Sequence, residues 1–236
     1  MEKVNDLCAK EAHKSAPLIE FTPNIERQHI LSKLLQPDGL LLDVGCWDGS
    51  FSQYLNGMKY IGVDINCQAL GKAKGKKIDV VIASCDFLPF KSESFDACSM
   101  IEVIEHLYFP GKAVREAHRI LKPNGKLILA TPNFVNFIDR VNMLIGNYTP
   151  YGTEQGKHIR FFTWKSLNDF LRRHGFELEE RKTWYLPFPM RRITKKFSSW
   201  RNVMRLLAKL FPNFDEGLLG KWRKTSEEST FLAESS

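Results

Sequence analysis

From Leu40 onward the chain alternates short apolar runs with stretches of helical periodicity. That rhythm restricts the fold more than any other feature, because it is the pattern of a parallel sheet covered by helices on both faces. Strands are predicted at Leu40–Val44, Tyr60–Val63, Val80–Ala83, Phe95–Ile101 and Lys126–Ala130. Helices are predicted between them at Ser50–Asn56, Gln68–Lys74 and Gly111–Leu121, the last stopped by the turn Lys122-Pro123-Asn124-Gly125. A helix opened by Thr163 and ended at His174-Gly175, a sixth strand over Phe176–Thr183 and a short seventh within Glu216–Lys224 complete the set. The expectation is an α/β fold: a Rossmann-like, doubly wound, seven-stranded and mostly parallel sheet, with a helical lid insertion.

Around that sheet the chain divides into an N-terminal helical segment, 1–36, a main domain over 37–224, and a tail over 225–236. The N-terminal segment holds one helix, Asn24–Leu35, with Ile25, Ile30, Leu31, Leu34 and Leu35 largely on one face. Insertions at 134–156 and 187–213 emerge where they would cover a pocket. Five cysteines, an odd number without a C-x-x-C pair, suggest neither a disulfide framework nor a zinc knuckle. With no apolar run of membrane length and no apolar signal region at the start, the expected location is the cytoplasm.

The net charge of +7 is concentrated. Residues 1–180 hold 22 basic and 22 acidic side chains, whereas 181–224 hold 12 basic and 2 acidic. Within that late segment Ile193, Phe197, Trp200, Val203, Met204, Leu207 and Leu210 recur at helical spacing, so 190–210 is predicted as a basic amphipathic helix able to meet an anionic acceptor or a membrane surface. No RNA-binding module is evident, which lowers the nucleic-acid reading. Oligomeric state is not indicated.

The first strand runs into LLDVGCWDGSF. Gly45 and Gly49 follow a buried strand and open a helix, the place where open α/β sheets bind ligands. The spacing is G-x-x-x-G instead of the dinucleotide pattern, and Asp43 at the strand end would repel phosphates. A cationic or zwitterionic ligand is expected. Asp64 ends the second strand, where a carboxylate accepts both hydroxyls of a ribose, and Asp86-Phe87 follows the third, where an acid beside an aromatic reads an adenine amine and stacks on its ring.

Three acids at adjacent strand ends describe S-adenosylmethionine. LLDVGCWDG, YIGVDI, CDFLPFKSESFDACSMIEVIEHL and REAHRILKPNGKLILATPN resemble successive motifs of the class I S-adenosylmethionine-dependent methyltransferases, of the type 11/23-like small-molecule group. The resemblance covers about Leu40 to Asn133. It implies that Asp43 and Gly45 lie along the methionine part, Asp64 and Ile65 at the ribose, Asp86 and Phe87 at the adenine, and Ile101-Glu102 near the sulfonium, with Cys46, Trp47 and Gly49 completing the loop. Trp47 departs from the family pattern, which has glycine there; the indole either lies over the methionine tail or packs toward the N-terminal helix.

Methyl transfer is an in-line displacement in which alignment alone accounts for roughly 7–11 kcal/mol of barrier. A hydroxyl acceptor also needs a base. Glu105, His106 and the later His158 are the catalytic candidates. Glu102, Glu105, His106 and His158 together resemble the metal set of the small-RNA 3′-terminal 2′-O-methyltransferases, and the E-x-x-E-H also resembles that of the ubiquinone-pathway O-methyltransferases; a resident divalent metal is nevertheless not expected. The expected activity is S-adenosylmethionine-dependent O-methylation of a small molecule, sugar or lipid/isoprenoid precursor, with aromatic Phe134, Phe137, Tyr148, Tyr151, Trp184 and Phe188 and basic Arg191, Arg192, Lys195 and Lys196 facing the acceptor. A metal-dependent RNA 2′-O-methyltransferase and a non-catalytic S-adenosylmethionine-binding partner protein are the alternatives.

Overall fold

The computed structural model describes residues 25–36, 38–76, 78–147, 158–183, 206 and 210–226. Its elements are α1 (Ile25–Ser32), β1 (Leu40–Val44), β2 (Lys59–Asp64), α2 (Cys67–Gly75), β3 (Asp79–Ile82), β4 (Phe95–Ile101), α3 (Pro110–Ile120), β5 (Leu121–Pro132), α4 (Phe137–Leu144), α5 (Trp164–Arg173), β6 (Phe176–Lys182) and β7 (Gly217–Lys224). They form one seven-stranded sheet in the order β3-β2-β1-β4-β5-β7-β6. The strands from β3 to β5 pair in parallel, and β7 runs antiparallel to both β5 and β6. This is the α/β, Rossmann-like architecture the sequence predicts. The strand order reverses between β1 and β4, so the crevice at the carboxyl ends of these two strands is the natural ligand site.

Helices on both faces explain why the strands are apolar on both sides. Side chains of Leu42, Val44, Cys98, Met100, Leu127 and Leu129 share one core with α3 and α5, whereas Leu41, Ala97, Ile128 and Ala130 point the other way against Leu31, Leu34 and Phe51. Helix α3 begins with Pro110 at its first position and buries Ala113, Val114, Ala117 and Ile120, spaced three and four apart. Helix α5 is fixed at its start by a reciprocal cap: Ser166 N–H donates to Thr163 Oγ1 at 3.1 Å and Thr163 N–H to Ser166 Oγ at 2.9 Å.

Two elements differ from expectation. The stretch Ser50–Asn56, read as a helix, forms only a 3-10 turn over Ser50–Tyr54, because the chain has few residues there before it must turn at Gly57. Strand β5 begins at Leu121, ahead of Lys126: Leu121 pairs with Phe95, the ladder shifts, and Lys122, Pro123 and Asn124 make an exposed excursion before pairing resumes at Lys126. Among the described cysteines, Cys46, Cys85 and Cys98 are free thiols. Cys67 is disulfide-bonded, where the cysteine spacing suggested no disulfide framework. The basic helix over 190–210, the tail from 227, and the acceptor-facing Tyr148, Tyr151, Trp184, Phe188, Arg191, Arg192, Lys195 and Lys196 lie outside the described residues, apart from exposed Leu206 and Leu210. No described helix is long and apolar enough to cross a membrane.

Candidate active site

The loop after β1 turns back over β2. Gly45 and Cys46 both donate their N–H to Val63 O, at 2.8 and 3.0 Å. Gly45 has φ 75°, and a Cβ there would lie 2.3 Å from Val103 Cγ2, so only glycine lets the chain pass. Trp47 also occupies the left-handed region, at φ 50°. A non-glycine residue there costs about 1–2 kcal/mol. What holds it is the partner of its N–H, Asp64 Oδ2, at 2.8 Å. The other oxygen of Asp64 accepts from Asn66 N–H at 2.8 Å. The departure from glycine at position 47 is thus accommodated in the backbone, with a half-buried indole. Beyond it Asp48 accepts from Lys76 Nζ at 2.8 Å and from Ser50 Oγ at 2.6 Å, closing the loop.

Asp43 sits beneath this loop, buried, with Ser99 Oγ donating to one oxygen at 2.6 Å and Tyr60 Oη to the other at 2.7 Å. Burial pushes its carboxyl up to about 6 against the pull of those two hydrogen bonds. Its place is under the backbone that a ligand would touch. Cys46 is likewise buried, its thiol raised by burial and by the charges of Asp43 and Asp64. Gly49, at φ 68°, comes so near Ile78 that a Cβ would meet its Cδ1 at 2.1 Å.

At the ends of β2 and β3 two apolar side chains project into solvent, Ile65 at 74% and Phe87 at 75% exposure. Asp86 precedes Phe87 and donates its N–H to Ser84 Oγ at 3.2 Å. A carboxylate held by two backbone N–H groups, flanked by exposed apolar surfaces and by a tight glycine turn packed on Val103 and Ile78, fits a ribose with its base. The carboxylate of Asp64 with exposed Ile65 and Phe87 beside it is chemistry that suits the nucleoside part of S-adenosylmethionine.

At the end of β4 the chain kinks. Ile101 is half-buried, and Glu102 takes φ 57° while its N–H donates to Ala130 O at 2.8 Å. Its carboxylate forms an ion pair with Arg27 Nη1 of α1 at 2.9 Å. Burial raises the Glu102 carboxyl and Arg27 opposes the rise. Glu105, only 1% exposed, accepts from Thr131 Oγ1 at 3.0 Å through one oxygen. Its other oxygen is buried without a hydrogen-bond partner. Desolvation, reinforced by Glu102, pushes the Glu105 carboxyl up to about 8.

The backbone carbonyl of Glu105 accepts from Ile159 N–H and Arg160 N–H, at 2.9 and 3.0 Å. That brings His158 to His106, with ring centroids 4.8 Å apart. Burial and the neighbouring His106 lower the basicity of His158. Donor atoms of Glu105, His106 and His158 all lie within 4.8 Å of one another. Glu102, which the sequence groups with these three, instead pairs with Arg27. The remaining carboxylate and two imidazoles, with one orphaned carboxylate oxygen among them, are a donor set that fits a divalent transition metal.

Sequence reasoning missed Arg27, Tyr60, Ser99 and Thr131. Arg27 adjoins Gln28, which with Leu31 is buried on the inward side of α1, where a charge needs a partner. The other three are single hydroxyls inside apolar strands, which no local pattern distinguishes.

A family model described as a methyltransferase domain matches residues 20–181. An uncharacterised protein of Methanocaldococcus jannaschii is 31% identical over 174 residues, covering 65% of this chain and 67% of its own length. A ubiquinone biosynthesis O-methyltransferase of Nitrosococcus oceani is 29% identical, covering 69% of this chain and 73% of its own length. Among solved structures, an S-adenosylmethionine-dependent methyltransferase of Thermotoga maritima, described as a possible histamine N-methyltransferase, superposes with a TM-score of 0.60 at 24% identity, covering 95% of this chain and 96% of that one. With the glycine cradle, the strand-end acids and this match over most of the sheet, the chain belongs to the class I S-adenosylmethionine-dependent methyltransferase family.

Proposed function

We propose that the protein methylates a hydroxyl oxygen on a small molecule, sugar or lipid/isoprenoid precursor in the cytoplasm, with Glu105, His106 and His158 handling the acceptor's proton. The observation that carries this reading is the cluster itself: a buried carboxyl raised to about 8 beside two imidazoles, at the strand end next to the donor loop. An amine acceptor loses its proton readily after transfer and needs no such group. A hydroxyl has to be deprotonated as the new bond forms, and a positioned base contributes about 10²–10⁴-fold to that step.

When bound, S-adenosylmethionine supplies an electrophilic methyl on a sulfonium, already a good leaving group. The chain's own residues do the rest. Gly45 through Gly49 receive the zwitterionic tail, Asp64 the ribose hydroxyls, and Asp86 with Phe87 the base. The half-exposed His106 is the group a solvent-side acceptor meets, and Glu105 lies behind it, at 4.0 Å from Nε2, where it takes over the proton once its own carboxyl has ionised. His158, kept neutral by burial, is the alternative proton acceptor. Exposed Tyr108 and Phe109, which follow His106 in the chain, and exposed Phe161, which follows His158, suit an aromatic or isoprenoid acceptor. The likeness to ubiquinone-pathway enzymes points the same way.

A metal-assisted version of the same reaction is favoured by the unsatisfied oxygen of Glu105 within the three-donor cluster. There Glu105, His106 and His158 would hold the ion, which would lower the pKa of the acceptor hydroxyl. The first test is calorimetric titration of the protein with S-adenosylmethionine and S-adenosylhomocysteine, with Asp64→Ala as control. Acceptor panels are then run with EDTA and with added magnesium, manganese or zinc. Turnover that persists in EDTA and falls in His106→Ala supports the base mechanism; dependence on one metal selects the second version. Donor binding with no transfer to any hydroxylated acceptor would leave a ligand-binding protein and refute the enzymatic reading.

A further inference from the structure

We infer that Glu116 and Arg119 of α3 position the adenine ring of the donor, acting through the backbone of Leu88. The inference rests on the reading in which Asp86 and Phe87 receive the base. Phe87 is 75% exposed. A ring so far in solvent is not fixed by its own packing, and its direction is inherited from the backbone on either side. The preceding side is set by Ser84, whose carbonyl accepts from Phe87 N–H at 3.1 Å and whose hydroxyl accepts from Asp86 N–H at 3.2 Å.

The following side is set from α3. Leu88 is buried, and both of its backbone polar groups are held by side chains of that helix. Its N–H donates to Glu116 Oε2 at 2.7 Å. Its carbonyl accepts from Arg119 Nη2 at 2.9 Å, while Arg119 Nη1 donates to Phe90 O at 2.7 Å. The two side chains are locked to each other by Arg119 Nε to Glu116 Oε1 and Nη2 to Oε2, both at 2.8 Å. Each keeps the other ionised: the Glu116 carboxyl lies below its ordinary range and the Arg119 guanidinium above. A planar guanidinium satisfies one carboxylate and two carbonyls at once, which a lysine ammonium on a flexible stem does not reproduce. Asp86 and Phe87 are thereby bracketed between two fixed points of backbone.

Binding of S-adenosylhomocysteine and of S-inosylhomocysteine, in which a carbonyl oxygen replaces the adenine amine, separates positioning from mere stability. Titrations use the full chain as wild type, Asp86→Asn, Arg119→Lys and Glu116→Gln, below the melting temperature of every variant. Wild type is expected to prefer the adenine ligand by about tenfold or more. Arg119→Lys and Glu116→Gln are expected to lose about tenfold for S-adenosylhomocysteine and much less for the inosine ligand, so that base preference collapses in a folded protein. Equal losses for both ligands, or a lowered melting temperature with base preference intact, would overturn the positioning role while leaving the adenine site standing. A wild type without base preference, or Asp86→Asn with preference unchanged, overturns the adenine reading and the positioning role with it.

Discussion

Replacing Glu105 by glutamine isolates one buried ionisation from the others around it. The carboxyl is 1% exposed and sits at about 8, against about 4.3 in an unfolded chain. A proton is therefore bound more tightly in the folded state. The stability this contributes is fully present below about pH 4 and is lost as pH rises through about 8, at about 1.4 kcal/mol per pH unit. Between pH 6 and pH 8 the loss approaches about 2.5 kcal/mol, or roughly 5–10 °C in Tm for a chain of this size. Glu105→Gln keeps an amide oxygen for the Thr131 hydroxyl and removes the titration. Asp43 and His158 remain in both proteins, so the difference between the two curves belongs to Glu105. Scanning calorimetry in EDTA should show the wild-type Tm falling relative to the variant as pH rises across that window. A divalent ion held by Glu105, His106 and His158 would keep the carboxylate ionised and flatten the wild-type slope. Parallel curves in EDTA would refute the desolvated, proton-holding carboxyl and remove the main support for its role.

Arg27→Ala leaves Glu102 without its ion-pair partner in a site where both side chains are largely buried, which should cost about 3 kcal/mol by denaturant titration. Adding Glu102→Gln should recover most of that loss; no recovery would mean that Arg27 acts through packing. Tyr60→Phe removes a donor to Asp43 and raises its carboxyl further above about 6. Because that raised group loses stability as pH climbs through its folded value, the variant should be weakened by about 1–2 kcal/mol at pH 8 and much less at pH 4, read from urea midpoints. Gly45→Ala places a methyl 2.3 Å from Val103 Cγ2 and should lower Tm and abolish S-adenosylhomocysteine binding. Gly45→Ala with Val103→Ala removes the clash but keeps the positive φ, so only part of the stability should return, about 1 kcal/mol remaining lost.

The sheet was legible because its information is local. Runs such as LLLDV and FDACSMI are long enough, and apolar enough on both sides, to be nothing but buried parallel strands, and the turn Lys122-Pro123-Asn124-Gly125 announces its own geometry. The tightness of Ser50–Tyr54 and the early start of β5 at Leu121 were not legible, because both follow from the distance the chain must span between fixed strands. Propensity carries no record of that distance.

The site divides along the same line, with a different consequence. Gly45, Asp64 and Asp86 lie at or just after the ends of β1, β2 and β3, so their place at one edge of the sheet follows from the strand pattern of the chain. The acceptor side depends on meetings between remote segments: His158 reaches His106 because Ile159 and Arg160 bond to the carbonyl of Glu105, and Glu102 leaves that cluster because α1 brings Arg27 to it. Sequence proximity alone placed Glu102 with Glu105, three residues away. The positive φ at Glu102 turns its side chain toward Arg27, which opposes the rise that burial imposes on the Glu102 carboxyl, whereas Glu105 has no arginine paired with it among the described residues. One carboxylate paired with an arginine and another buried with an unpartnered oxygen are a difference that arises only once the helix has docked. The docking of α1 therefore sets the electrostatics around Glu102 and Glu105 as well as the stability of the fold.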